Sequence, residues 1–301
     1  MIAEQTAPSL KSKLRFLTPY AFLFPALAVL LVFFFIPVAQ ALYLSFTEYS
    51  IVTPPKWIGI ANYERLWHDE VFWKTLGNSL LYLLGVVPPL VILPIFIAIL
   101  VNRPLRGVGF FRAAYYLPVV ISMVVAGIAW KWIYAENGVL NYLMISSGIL
   151  DKPLSWLTEP NLALIAVMAV TVWKGLGYYM VIYLAGLQAI PDDLYEACRI
   201  DGASSWQQIW HVTIPLLMPS ISLVAVVSSI SALKVFTEIY VMTSGGPLNS
   251  SNVLAYYLYE QAFGENLNLG YACALGVALF IVIFAFSLLN LRSFEKGGVQ
   301  S

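Results

Sequence analysis

The sequence predicts an all-α polytopic membrane protein with about six transmembrane helices, and three observations carry that expectation. Of 301 residues, 60% are hydrophobic and only 11% are charged, less than half the ~25% charged share of an ordinary soluble domain. Six apolar stretches reach the roughly 20 residues that a bilayer span requires. Sixteen Lys and Arg balance sixteen Asp and Glu, so no global field recruits a polyanion. Together these exclude a soluble globular enzyme, a disordered chain and a basic nucleic-acid binder.

The spans are read at 17–44, 76–101, 108–130, 162–187, 214–241 and 269–291. Most are apolar on all sides, as burial in lipid or in a bundle demands. The first has a basic lead (Lys11, Lys13, Arg15), and Ala39-Gln40-Ala41 imitates a cleavage site. Its apolar run exceeds the roughly 7–15 residues of a secretory signal core, so it reads as a retained anchor. Prolines at 25, 37, 88, 89, 94, 118, 215 and 219 lie in or beside the spans; membrane helices tolerate them because neighbours re-satisfy the freed carbonyls. The organisation expected is a segment 1–16, a transmembrane domain 17–294 with a connecting loop 188–211, and a tail 295–301.

Basic residues near span ends set orientation. With both termini inside, nine fall on the inner side (Lys11, Lys13, Arg15, Arg103, Arg106, Arg112, Arg199, Arg292, Lys296) and five outside (Lys56, Arg65, Lys74, Lys131, Lys152). Both termini are therefore expected in the cytoplasm. Cys198 and Cys273 would lie at opposite depths, as would His68 and His211, so neither a disulfide framework nor a metal cluster is expected.

The inner loop 188–211 breaks the positive-inside pattern, with Asp192, Asp193, Glu196 and Asp201 against Arg199. Pro191 suits a first helical position, and the two aspartates complement the positive end of a helix dipole. A short helix is expected over 191–200, left through Gly202 in a left-handed conformation. Ser204 and Gln207 have capping-box spacing for a second helix. A capped helix on a glycine corner fits a partner's groove through a few anchors such as Leu194, Ala197 and Cys198, with small Ala203 allowing close approach. On the residues alone, a linker resting on lipid headgroups is the plainer reading, because amphipathic connectors are common.

Glu196-Ala197-Cys198, then Gly202, then Val212-Thr213-Ile214-Pro215 resembles the signature E-A-A-x3-G-x9-I-x-L-P of membrane subunits of binding-protein-dependent ABC importers. Cys198, Val212 and Ile214 depart from it conservatively. Gly59-Ile60-Ala61-Asn62-Tyr63, Gly186-Leu187-Gln188-Ala189-Ile190-Pro191, Thr237-Glu238-Ile239-Tyr240-Val241 and Gly245-Gly246-Pro247 resemble the sugar-permease branch of that family. Phe24-Pro25-Ala26 and Tyr43-Leu44-Ser45-Phe46 are similar to its first, maltose-transporter large-subunit type.

The resemblance implies a type I ABC importer permease fold in a bacterial inner membrane. It implies a second homologous permease, two cytosolic ATPases, an external solute-binding protein and a sugar-like solute. Loop 188–211 would be the coupling helix, with Leu194, Glu196, Ala197, Cys198, Arg199, Asp201, Gly202 and Ala203 at the ATPase joint. The chain has no G-x-x-x-x-G-K-[ST] phosphate loop, so it is read as a transport subunit and not an enzyme. No cofactor is expected on it; ATP and Mg would sit on the ATPase.

Charged residues inside spans cost about 2.5–3.5 kcal/mol each at a helix centre and are functional suspects. Lys174 and Lys234 qualify. Glu238 lies one turn beyond Lys234, so an intrahelical pair competes with solute contact for that lysine. Lys174 stands in an aromatic, glycine-rich run, and Trp173, Lys174 and Tyr178 are candidates for the solute pathway, because aromatic faces stack on sugar rings; packing against neighbouring helices is the alternative. Ser228, Ser229 and Ser231 are weaker candidates. A rival reading, an ion-coupled secondary transporter, would call for paired intramembrane carboxylates or unwound helices in repeated halves, and the sequence suggests neither.

Overall fold

The computed structural model describes residues 10–103, 106–264 and 267–295. Most of the expected segment 1–16 and of the tail 295–301 lies outside these or carries no described side chains, Lys296 included. Helix α1 (Leu10–Leu30) runs through a π-helical turn at Leu31–Phe35 into α2 (Ile36–Leu44), and these together form the first span. The π turn has a cause in the sequence. Pro37 has no N–H and its ring crowds the carbonyl four residues back, so the ladder slips and the Ile36 N–H bonds the Leu31 carbonyl.

A two-stranded antiparallel ribbon, β1 (Thr47–Glu48) on β2 (Lys56–Trp57), leads to α3 (Ala61–His68). Buried Asn62 donates to the carbonyls of Ser45 and Thr47, both at 2.9 Å. Asp69 then caps α4 (Glu70–Val101), its Oδ1 accepting from the backbone N–H of Val71 at 2.9 Å and of Phe72 at 3.3 Å. Pro88, Pro89 and Pro94 all sit inside α4 without ending it.

The third span is not continuous. It divides into α5 (Val108–Val120) and α6 (Met123–Ile133), bent by 97° where Ile121 and Ser122 turn extended. After α7 (Val139–Ser146), the fourth span is the unbroken α8 (Ala163–Gln188). Next come α9 (Asp192–Ile200) and α10 (Ser205–Gln208), a second π turn at Ile209–Thr213, then α11 (Ile214–Leu216) and α12 (Met218–Leu233). The chain bends 66° between α11 and α12. The second π turn repeats the logic of the first, since Pro215 follows it as Pro37 follows the other. Beyond α12 the fifth span breaks again at Lys234–Phe236 and restarts as α13 (Thr237–Met242). Then follow α14 (Leu254–Phe263) and the last span, α15 (Leu269–Glu295).

Four described helices are long and apolar enough to cross a membrane, and the two bent pairs bring the number to six. The expectation of six spans therefore holds, with the third and fifth of them broken. Composition alone hid the breaks, because each is flanked closely by apolar residues on both sides.

The core lies between α4, α8 and α12, with Tyr82, Val86, Val167, Met180, Tyr183 and Leu233 fully buried. Two glycines set helix spacing. A Cβ at Gly177 would run into the Tyr115 carbonyl of α5, and one at Gly186 would meet Ser220 and Leu217 beside it. By contrast, the most apolar stretch of the first span is not buried by any other part of this chain. Its far end is held fast. There Ser45 Oγ bonds Tyr63 Oη at 2.7 Å, and the Gly270 N–H bonds the Tyr49 carbonyl at 3.1 Å.

Candidate functional site

Two features stand out: an exposed corner after α8, and a cavity where the two broken spans meet. The corner is built from local rules. Pro191 precedes α9 as its cap residue, with extended backbone (φ −62°, ψ 134°), and so is not the first helical residue that the sequence suggested. Asp192 and Asp193 occupy the first turn and Arg199 the last, each complementing the dipole. Glu196 and Arg199 pair at 3.6 Å, both largely exposed, so the pair contributes at most about 1 kcal/mol.

Gly202 adopts φ +78°, the left-handed region that a Cβ resists. The Gly202 N–H reaches the Arg199 carbonyl at 3.1 Å and the Ala203 N–H that of Cys198 at 2.9 Å, which together make a Schellman ending. The next residue opens α10 with a full capping box. Ser204 Oγ accepts from the Gln207 N–H at 3.3 Å, and Gln207 Oε1 accepts from the Ser204 N–H at 2.8 Å. A helix stop and a helix start thus sit back to back, leaving little freedom between them.

Glu196, Ala197, Arg199, Asp201 and Gly202 are exposed, Cys198 and Ala203 half-buried, and Leu194 and Ile200 present apolar surface outward. One tie escaped the sequence reading. Tyr195 Oη lies 3.1 Å from Thr213 Oγ1, which joins α9 directly to the buried end of the second π turn. Neither residue is unusual in sequence; only the fold brings them together.

The cavity has a volume of about 280 Å³. Its polar lining includes Tyr82, Thr171, Lys174, Tyr178, Tyr179, Ser228, Ser231 and Glu238, set in apolar walls. Lys174, Tyr178 and Glu238 therefore line one cavity, whereas the sequence groups Lys174 with Trp173 and Tyr178 and sets Glu238 beside Lys234. Lys174 Nζ donates to the carbonyls of Pro118 at 3.1 Å and Val119 at 3.2 Å, and Tyr82 Oη lies 2.6 Å from Thr171 Oγ1.

Two candidates fall elsewhere. Trp173 lies on a different groove beside Leu81, Gly85 and Pro89, and stacks edge-on against Trp130 at 5.3 Å. Lys234 is exposed and outside the cavity lining. The intrahelical Lys234–Glu238 pair is also corrected, because the helix ends between the two residues. Tyr82 and Thr171 were missed, yet Thr171, Lys174 and Tyr178 stand at i, i+3 and i+7, one helix face. That spacing excludes Trp173 and was there to be read.

Comparison with known proteins agrees with this architecture. The family described as "Binding-protein-dependent transport system inner membrane component" matches residues 70–293, from the start of α4 nearly to the end of α15. The chain is 39% identical over 284 residues to "Probable ABC transporter permease protein YurN" of Bacillus subtilis, covering 93% of this chain and 96% of that one. It is 35% identical over 275 residues to "Lactose transport system permease protein LacF" of Rhizobium radiobacter, covering 90% and 92%. Among solved structures, a bacterial alginate ABC transporter in complex with alginate pentasaccharide-bound periplasmic protein contains a similar chain. It superimposes with a TM-score of 0.82 at 25% identity, over 96% of this chain and 99% of that one. The chain belongs to the binding-protein-dependent transport system inner membrane components, the permease subunits of ABC transporters.

Proposed function

We propose that this chain is one of two homologous permease halves of an ATP-driven importer for a sugar, glycoside or related polyol. An external binding protein delivers the solute, and two cytosolic ATPases drive the cycle. The single observation that carries the reading is the corner at Gly202, a rigid, exposed helix ending built on the E-A-C-x3-G sequence. In this reading the corner faces the cytoplasm, both termini share that side, and Glu196, Ala197, Arg199, Asp201 and Gly202 meet the ATPase. Leu194, Cys198 and Ala203 complete the contact.

ATP and Mg bind the ATPase, and its dimerisation displaces α9. The Tyr195–Thr213 contact then passes the displacement into the fifth span. This is a power stroke acting on a bistable helix packing, which alternates the access of the central cavity. Solute hydroxyls would find Tyr178, Ser228, Ser231, Lys174 and Glu238 there, with apolar wall behind them. The sugar class is supported by the lactose and alginate named for two relatives. The broken third and fifth spans answer one expectation of an ion-coupled secondary transporter, but family membership speaks for the ATP-driven importer.

Gly202→Pro tests the reading. Proline cannot adopt φ +78°, and the resulting disruption costs about 3 kcal/mol, over a hundredfold in an equilibrium. The variant should insert normally and bind its permease partner. It should lose both ATP turnover stimulated by the loaded binding protein and uptake of the sugar that the binding protein carries. Wild-type uptake and turnover in this variant would remove the coupling role.

A further inference from the structure

We propose that Lys174 is a positioning residue for transport: its ammonium group caps the last carbonyls of α5 and pins the bend of the third span to the fourth. The need arises at the helix end. A helix leaves its final carbonyls without intrahelical donors, and inside a bilayer no bulk water replaces them. Helix α5 ends at Val120 and the chain then turns 97°, which exposes that problem within a span. Lys174 answers it from the neighbouring helix, reaching Pro118 and Val119 at 3.1 and 3.2 Å. A positive charge also suits the negative end of the α5 dipole.

The sequence of α8 prepares the approach. Gly177, one turn beyond Lys174, stands where any Cβ would strike the Tyr115 carbonyl, so α5 and α8 touch backbone to backbone on the face that carries the lysine. Past the two breaks, α6 packs on α13. A second lysine repeats the device there, with Lys131 Nζ 3.3 Å from the Val241 carbonyl near the end of α13. The distal pieces of both broken spans thus form one unit, and the Lys174 cap lies at its root beside the cavity. With the cap in place, the bend moves with α8; without it, the bend wanders and the ATPase stroke is dissipated. Lys174 thereby acts through α5 and α6, whatever solute fills the cavity.

The transport consequence rests on the importer reading, but the geometric claim does not, and the experiment separates them. Spin labels are placed through Phe111→p-acetylphenylalanine on α5 and Val125→p-acetylphenylalanine on α6, both exposed positions, and distances across the bend are measured in nanodiscs. Wild type and Lys174→Arg should give one narrow distribution, and Lys174→Met a broad or multiple one. Lys174→Gln, too short to reach the carbonyls, serves the same comparison where the Met variant inserts poorly. Glu238→Gln should match wild type. A narrow wild-type distribution in the Met or Gln variant overturns the proposal, as does a Glu238→Gln distribution as broad as that of Lys174→Met. In the complex reassembled with its partner permease and ATPases, turnover of MgATP should fall in Lys174→Met and recover in Lys174→Arg. A complex that hydrolyses no ATP even as wild type counts against the importer reading and leaves the distance result standing.

Discussion

Asp69 is a residue whose surroundings explain more than its sequence position does. Burial pushes its carboxyl upward, but hydrogen bonds from Tyr257 and Tyr271 and from the N–H groups of Phe72 and Val71 outweigh this and hold it below its ordinary value of 3.8. The tyrosine hydroxyls lie at 2.6 and 2.5 Å from Oδ2, so one carboxylate joins the start of α4 to α14 and α15. Hydrogen bonds to a charged group contribute about 1.5–3 kcal/mol, and Asp69→Ala should destabilise the protein by that order. Because the folded value is the lower one, the stabilisation is complete above about pH 4 and drains away as pH falls through the folded-state value. Unfolding of the purified protein between pH 7 and pH 3 should show that loss in wild type and not in Asp69→Asn. No sequence pattern announces this cluster, since its members are far apart in the chain. Lys174 is the opposite case: an intramembrane lysine is conspicuous in sequence, but its carbonyl partners could not be named without the bend that creates them.

At the scale of elements, local chemistry was the most legible part. The α9 stop at Gly202 and the Ser204–Gln207 box follow from glycine, serine and glutamine at fixed spacings, and both occur as expected. Removing one cap hydroxyl costs about 1 kcal/mol. Ser204→Ala should therefore loosen α10 and lower sugar uptake by severalfold with membrane insertion unchanged, measured in the same transport assay as Gly202→Pro. The bends were not legible, for a physical reason. Pro118 precedes the 97° bend, but the α4 prolines cause none, so proline is no guide. What fixes the third-span bend is Gly177 and Lys174 of another helix, and a one-dimensional pattern does not contain that pairing. The π turns were decipherable after the fact, each standing just before an X-Pro step.

At the scale of the whole molecule, composition located the protein and the few charges organised it. In the proposed orientation, the zero net charge conceals a basic bias on one side and an acidic corner within it. The first span, apolar and not buried by this chain, is the surface left for a permease partner or for lipid. Co-expression with the second permease should raise the thermal stability of the detergent-solubilised chain; an unchanged melting temperature would assign that helix to lipid alone. The fastening at its far end also has a bearing on assembly. Asn62 grips Ser45 and Thr47 early, but the bond from Gly270 to Tyr49, and the close pass of Gly270 against the Thr47 carbonyl, await the last helix. The end of the first span is thus moored twice, and a chain cut short before α15 would keep the Asn62 grip while losing the Gly270 contacts.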